Sequence, residues 1–389
     1  MVEVPRCFDS SHALGYSSHR PWHRSSRRGP IEIDPDTVKA FEKLSGKFCR
    51  VTWQYGRLVD FDAESKEFPP AFRFETFPPG DLPDAGIPFA VIVDGSKFDD
   101  AALKRLAKSD KLSALKIDSD AITDAGIEAL AGCRNLRWLE IGCFQVTAKS
   151  IGKLKGLTAL CLNYYPEEME LAPIFELTQL RSLSLSRRLS DADAYAGIGK
   201  LRNLEYFDIP EYAVTDGLLA SLARCGKLHT ASWCLRISTA RRTEEEELLD
   251  PCRAASDAEI TSVSLDRSHV TDAGLASLRH LTSLSVLSLH ECPITGVGLR
   301  FLPCPEKLKG LYLRGTRVTD LKCVSRFKNL LSLDLGSTDI GDESLGLVVN
   351  LKKLKSVGLD KTNVTPCALE TLREIRPELR VYDGFERNS

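Results

Sequence analysis

The hydrophobic positions of this chain recur in one frame. Leu-x-x-Leu-x-Leu, or a close substitute, begins at Leu112, Leu136, Leu157, Leu180, Leu204, Leu228, Ile260, Leu284, Leu308, Leu330 and Leu354. A degenerate copy precedes these near Pro88, and a frayed one follows at Leu379. Successive starts lie 21 to 25 residues apart, except for one step of 32 between Leu228 and Ile260. Each copy has two halves with different periods. In Leu284-Ser-Val-Leu287-Ser-Leu289 the last two leucines are two apart and share one face of a strand. Ile294, Val297, Leu299 and Leu302 are spaced like a helix. Thr123-Asp124, Thr215-Asp216, Thr271-Asp272 and Thr319-Asp320 mark the junction, a hydroxyl suited to an N-cap followed by a carboxylate suited to the positive helix end. Gly126, Gly217 and Gly274 follow closely and predict close packing.

A strand followed by a helix, repeated every 20 to 29 residues, is the leucine-rich-repeat signature. One copy cannot bury its own apolar face, so neighbours stack. The expected fold is an α/β leucine-rich-repeat solenoid of about 11 to 12 repeats. One parallel sheet lines its concave side and helices line its convex side. At about 4.8 Å per strand, twelve strands give an inner arc of roughly 55 Å.

The spelling of these copies resembles the bacterial free-standing leucine-rich-repeat proteins, whose repeat is LxxLxLxxTxVTDxGLxxLxxL. Three copies match closely: Leu308 to Asp320 with Thr316, Leu330 to Gly341 with Thr338, and Leu354 to Leu369 with Thr362. The cysteine-containing repeats of F-box proteins are similar too. Cys292 stands at their ladder position, and Cys133 and Cys225 stand just before the next start. The resemblance covers residues 87 to 383. It implies a horseshoe that binds protein, and it brings no catalytic residue.

Ahead of the repeats, residues 1–30 are rich in Ser, Arg, His and Pro, with a net charge of +3. This predicts a disordered basic tail. Its sharper readings are a metal site from His19, His23 and Cys7, or contact with nucleic acid or anionic lipid through Arg20 to Arg28. Residues 31–86 predict an N-terminal capping region. A short helix is expected at Asp36 to Gly46, and strands at Val51 to Tyr55, at Arg57 to Asp62 and at Ala71 to Phe77. Phe41, Leu44, Trp53, Leu58, Phe72 and Phe74 are the side chains expected to cover the open end. The turn Lys43-Leu-Ser-Gly46 resembles the entry segment of the same bacterial family. No Leu-Pro-rich opening of an F-box is present. A third unit, 87–389, is the solenoid with a C-terminal cap, in which Thr365 and Pro366 start the last helix. The 32-residue step contains Arg241 to Leu248, including four consecutive Glu, and predicts a charged surface loop at 241–252.

Composition narrows the function classes. A formal net charge of −2 argues against a nucleic-acid role for the whole protein. The twelve cysteines include no Cys-x-x-Cys pair. Phased positions such as Cys133, Cys161, Cys225, Cys292 and Cys367 predict small buried residues in a reducing compartment. No apolar run is long enough for a membrane helix, and no secretory signal precedes the repeats, so a cytoplasmic location is expected. Asn363-Val-Thr365 fits a glycosylation sequon that export would be needed to use. No hydrolase, metalloprotease or nucleotide-binding motif occurs. His290-Glu291-Cys292 is the one tempting spot, and Cys292 is expected to point into the ladder instead.

What remains is the concave face. The side chains between and beside the strand leucines there are Trp138, Glu140, Asn163, Arg181, Tyr206, Asp208, Asp266, His290, Tyr312, Arg314, Asp334 and Asp360, with Tyr164 at a strand end. Trp138, Arg181, Tyr206 and Tyr164 lie in neighbouring repeats and are expected to form one patch, since aromatic and Arg side chains dominate interface energies. Trp233 takes a strand-Leu position and is expected in the core. The expected function is a non-enzymatic, monomeric scaffold that binds a protein partner on the concave face without cofactor, metal, nucleic acid or membrane. The alternatives are an adaptor whose residues 1–86 recruit a second partner, and an enzyme with an unrecognised site.

Overall fold

The leucine frame becomes strand wherever its second and third apolar positions can turn inward together. The computed structural model describes residues 31–384 apart from 55–56, 62–63, 65–67, 96, 187–188, 190–193, 232–234, 236 and 240–255. The basic tail with His19 and His23, the loop at 241–252 and Trp233 lie outside the described residues.

Helix α1 (Pro35–Glu42) has Asp34 as N-cap and Pro35 at its first position. It ends before a left-handed Ser45 and Gly46. Strands β1 (Lys47–Gln54), β2 (Arg57–Phe61) and β3 (Pro70–Phe74) follow. β1 pairs antiparallel with both β2 and β3. From β3 onward every neighbour in this sheet is parallel. The strands are β4 (Phe89–Val93), β5 (Leu112–Asp118), β6 (Trp138–Gly142), β7 (Ala159–Tyr164), β8 (Ser182–Leu185) and β9 (Tyr206–Asp208). Phe41 stacks on Phe72, centroids 3.7 Å apart, and meets Phe89 edge-on. These rings continue the leucine core past its first repeat and close its open end.

The expectation of one sheet is corrected here. Among the described residues the strands form two sheets, of nine and seven strands. The frame at Leu228 starts a 3₁₀ turn, Leu228–Ala231, in place of a strand. The second sheet opens with β10 (Ser238–Thr239), antiparallel to β11 (Ile260–Ser264). It continues in parallel through β12 (Val286–Ser288), β13 (Gly310–Tyr312), β14 (Ser332–Asp334), β15 (Ser356–Gly358) and β16 (Arg380–Tyr382). The convex layer does not share this break. Asp216 takes the N–H of Thr271 at 2.8 Å and its hydroxyl at 2.5 Å, across 55 residues. The frame at Leu228 thus supplies no strand to either sheet among the described residues, while the start of α5 (Asp216–Arg224) sits directly against that of the turn Gly274–His280.

That contact is one of a series. Asp100 holds Thr123, Asp124 holds Thr147, Asp272 holds Thr295 and Asp342 holds Thr365, each by the Thr N–H and hydroxyl. Thr123, Thr215 and Thr365 are N-caps, as their spacing predicts. The carboxylate beside them does more than favour the helix end, because it ties each repeat to the next. Gly126 and Gly274 are the close-packing positions expected: a Cβ on either would overlap the Asp carboxylate of the preceding repeat. The convex segments are α-helical at α2 (Asp100–Leu106), α3 (Asp124–Ala129), α4 (Ala148–Ile151) and α5, but many later ones are 3₁₀ turns. Ile294 to Leu302 is an example, with Val297–Phe301 as a 3₁₀ turn. Segments this short complete too few α-type bonds to offset nucleation.

Replacing Gly274 by Ala should lower stability by about 1–3 kcal/mol through overpacking against Asp216, although Ala is the better helix former. Gly346, with nothing within 4 Å of its missing Cβ, is the control. Gly346→Ala should be neutral or stabilising by up to about 1 kcal/mol. Midpoints of urea unfolding decide between these signs.

Candidate functional site

Register puts the outward side chains of the strands into rows. In the first sheet one row runs Ala90, Ala114, Trp138, Ala159, Ser182, Tyr206, and the next runs Ile92, Lys116, Glu140, Cys161, Ser184, Asp208. In the second sheet the corresponding rows are Ser262, Val286, Gly310, Ser332, Ser356, Arg380 and Ser264, Ser288, Tyr312, Asp334, Gly358, Tyr382.

The first pair of rows is covered by the chain itself. The β1–β2 hairpin curls over them and makes the sheet a half-barrel. Cys49, Val51, Trp53 and Leu58 form a second apolar cluster with Ala71, Ala90, Ile92, Ala114, Ala159 and Cys161, and Trp138 packs against it. Trp53 is only 2% exposed and tilts against Trp138 with centroids 6.4 Å apart. Its Nε1 donates to Ser182 Oγ at 3.0 Å. The N–H of Leu58 donates to Glu140 Oε2 at 2.7 Å. Glu140 Oε1 takes Lys116 Nζ at 3.0 Å and Asn163 Nδ2 at 3.1 Å. A buried carboxylate is tolerated when its lone pairs are filled in this way.

These contacts place the expected residues. Phe41, Phe72 and Phe74 cover the solenoid end, whereas Trp53 and Leu58 cover the concave face. Trp138 and Tyr206 share one row with Ala159 and Ser182 between them, while Arg181 and Tyr164 lie outside it, so the four do not make one contiguous patch. Trp138 packs against the hairpin cluster. Arg181 precedes β8 and pairs with Glu205. Tyr206 is half-buried on β9. Tyr164 is exposed at the strand-end rim beside Phe144, centroids 5.8 Å apart. Glu140 and Asn163 are joined to each other under β2. Asp208 is half-buried with Ser184 Oγ at 3.4 Å and the charge of Arg57 nearby. Burial pushes its carboxyl up to about 6, against the pull of Arg57 and the Ser184 hydroxyl.

The rows of the second sheet carry no such cover among the described residues. Arg314 reaches across β14 to grip Asp360, with Nη1 to Oδ1 at 2.8 Å and a second, shorter bond beside it. Gly336 makes room, since a Cβ there would overlap the guanidinium. The pairing holds the Asp360 carboxyl below its ordinary range. Asp266 accepts from Ser288 Oγ at 2.6 Å and from the N–H of His290 at 2.8 Å. His290 lies edge-on to Tyr312, and its Nε2 is 3.7 Å from Asp334 Oδ2. The Gly336 N–H fills Asp334 Oδ1 at 2.9 Å. Asp266, His290, Tyr312 and Arg314 are thus brought together, with Asp334 and Asp360.

The loops after these strands repeat as well. Arg267, Glu291, Gly315, Ser337 and Lys361 all adopt left-handed backbone. Each precedes a ladder residue, of which Thr316, Thr338 and Thr362 donate to the carbonyls of Leu313, Leu335 and Leu359. Cys292 takes the ladder position as expected, with its thiol on the carbonyl of Leu265 at 2.9 Å. Burial raises that thiol, which is the wrong direction for a nucleophile. Cys133 and Cys161 are buried, Cys225 is half-buried, and Cys367 departs from the expectation by being exposed. Among the described residues no cluster of three or more His, Cys, Asp or Glu is placed to hold a metal ion. No helix there is long and apolar enough to cross a membrane.

Sequence reasoning missed the hairpin cover, and with it Lys116, Ser182 and Arg57. The signal was the run of small apolar outward residues Ala90, Ala114, Ala159 and Cys161, where the uncovered sheet has the hydroxyls of Ser262, Ser332 and Ser356.

Asp208 gives the covered half a pH dependence of known sign. An unfolded Asp titrates near 3.8 and this one near 6, so the folded chain retains a proton that the unfolded chain has lost. Stability falls as pH rises from about 4 to about 6 and stays lower above that. Asp208→Asn should raise stability at pH 7 by roughly 1–3 kcal/mol. That advantage should shrink to nothing below pH 4, measured by thermal unfolding across pH 4–7.5.

No family model and no curated protein matches the sequence. Among solved structures, an internalin from Listeria monocytogenes is similar over 80% of this chain and 86% of its own, at 18% identity and a TM-score of 0.45. A leucine-rich-repeat protein from Leptospira interrogans is similar over 71% of this chain and 91% of its own, at 16% identity and 0.29. The functional domain of another Listeria monocytogenes internalin, which includes a cysteine ladder, is similar over 72% of this chain and 54% of its own, at 14% identity and 0.35. The chain's own frame, register and repeat-to-repeat bonds establish its architecture: it is a leucine-rich-repeat solenoid.

Proposed function

We propose that this protein is a non-enzymatic recognition scaffold that binds a protein partner on the concave face of its second sheet, β11 to β16. The division of that face into a covered and an open half carries the reading. In the first half the chain has filled the outward rows with its own hairpin, leaving Trp138 and Glu140 engaged internally. In the second half Asp266, His290, Tyr312, Arg314 and Asp334 remain half-exposed on a rigid sheet. Half-buried Tyr and Arg side chains, fixed by their neighbours before a partner arrives, lose little entropy on binding. A catalytic reading finds no support in the buried, raised thiols. The adaptor reading has less material than the sequence suggests, because the large apolar side chains of α1 to β3 are spent on the core and the hairpin cluster.

Affinity capture from native lysate tests this, with the wild type beside Tyr312→Ala/Asp334→Ala and Phe144→Ala/Tyr164→Ala. A partner recovered with wild type should fall at least tenfold with the first variant and persist with the second. Equal recovery with all three baits, each folded by circular dichroism, overturns the placement on the second sheet.

A further inference from the structure

The covered half of the concave face is a bound state, and it shows what kind of occupant these rows hold. We propose that the open half takes the same kind: an extended, positively charged polypeptide segment lying along the rows, with Asp334 accepting its donor groups. This rests on the scaffold reading above and names the chemistry of the partner.

The correspondence follows from register. The first row is mostly small in both halves. Ala90, Ala114, Ala159 and Ser182 lie beneath the hairpin, and Ser262, Gly310, Ser332 and Ser356 occupy the matching places in the open half. Small floors let a covering backbone approach closely. In the second row of the first sheet Glu140 is the acceptor for the Leu58 N–H, and Asp334 stands in the corresponding row of the second sheet. Asp334 has one oxygen filled by Gly336, while the other faces His290 Nε2 from 3.7 Å, beyond hydrogen-bond range. Ser182 accepts the Trp53 indole, and Ser332 and Ser356 offer hydroxyls in that row.

Charge sets the sign of the occupant. Arg314 is bonded to Asp360 and lies 3.9 Å from Asp334, and Arg380 stands at the end of the first row, so the three carboxylates of Asp266, Asp334 and Asp360 outnumber the two guanidinium groups of this face by one. In the covered half it is likewise a hairpin cation, Arg57, that faces Asp208. Gly358 puts no side chain between Asp334 and the exposed ring of Tyr382 in the second row. A Lys or Arg side chain entering there meets a carboxylate on one side and an aromatic face on the other. The hairpin sequence, residues 47–61, has a net charge of +2, of which Arg50 is buried on the carbonyls of Ile31 and Phe68 and Arg57 is the cation whose charge acts on Asp208.

The test uses the full chain and a fluorescein-labelled peptide of residues 47–61, beside an analogue with K47E, R50E and R57E. Fluorescence anisotropy should show the cationic peptide binding and the acidic analogue failing to bind. Asp266→Asn/Asp334→Asn, with its thermal midpoint checked against wild type, should weaken the Kd at least tenfold. Hydrogen exchange at the Leu58 amide should stay slow when peptide is added. Faster exchange there means that the peptide displaces the chain's own hairpin, and overturns the inference. Equal binding to wild type and variant, or no binding of either peptide, also overturns it. Preference for the acidic analogue overturns the charge assignment alone and leaves the scaffold reading standing. Partner capture with Tyr312→Ala/Asp334→Ala decides that reading independently.

Discussion

The bond from the Leu58 N–H to Glu140, 2.7 Å long and shut away from water, is the contact on which the use of this face turns. β2 is an edge strand, and an edge strand has amide groups that a sheet does not satisfy. By supplying a carboxylate from the opposite wall, β6 lets that edge lie down on the concave face instead of projecting into solvent. The carboxylate is itself held by Lys116 and Asn163, so removing any partner leaves a charge or an N–H buried without compensation. Around this polar centre the Trp53–Trp138 contact and the small residues of β4, β5 and β7 supply the apolar area. One half of the face is thereby spent on the stability of the chain.

The second consequence concerns continuity. A solenoid is held by nearest-neighbour terms, and here the two layers assign neighbours differently. Among the described residues no strand pairs β9 with the second sheet, which opens at β10. On the convex side, Asp216 and Thr271 are bonded as if nothing stood between them. The same Asp-to-Thr pair joins ordinary repeats such as Asp124 and Thr147, so the convex junction at Asp216 and Thr271 has the same bonds as an ordinary one. The two concave halves are consequently set apart in the sheet while the convex layer still ties one to the other.

Much of this was legible in the sequence, and what was not has a physical reason. The leucine frame gave the strands, the solenoid and the inward residues, because burial imposes a period that a single chain displays. Thr123, Thr215 and Gly274 gave the helix starts and the close approach, because capping and Cβ overlap are local demands. The sheet break left only a faint trace, Ala231 and Trp233 in place of the two strand leucines after Leu228, because single substitutions of this kind occur in copies that do form strands. The hairpin cover was not legible either. Leu58 and Glu140 are 82 residues apart, and no periodicity records a contact across a cavity. Trp138 looked like an interface anchor because an outward aromatic on a strand has the same pattern whether its partner is another protein or Trp53 of its own chain. Asp266, His290, Tyr312 and Arg314 were found together because adjacent repeats place equivalent positions side by side, which is a local rule again.

The open half differs from the covered half in how its polar groups are held. The left-handed residues Arg267, Glu291, Ser337 and Lys361 each cost about 1 kcal/mol relative to ordinary backbone. Their regular recurrence shows that the ladder below them, Cys292, Thr316, Thr338 and Thr362, fixes the loop firmly enough to hold that conformation. The strand ends bearing His290, Arg314 and Asp360 are therefore positioned by backbone bonds before any partner arrives. Arg314 is further fixed by two bonds to Asp360 over a glycine that a larger residue would displace. A surface ordered in this way gains little for folding from its polar residues, because exposed ion pairs contribute at most about 1 kcal/mol each. The left-handed backbone costs stability, and the buried ladder of Cys292, Thr316 and Thr338 beneath it offsets that cost. The orientation of the polar side chains on the open half is thus set by the turn backbone and the ladder beneath it.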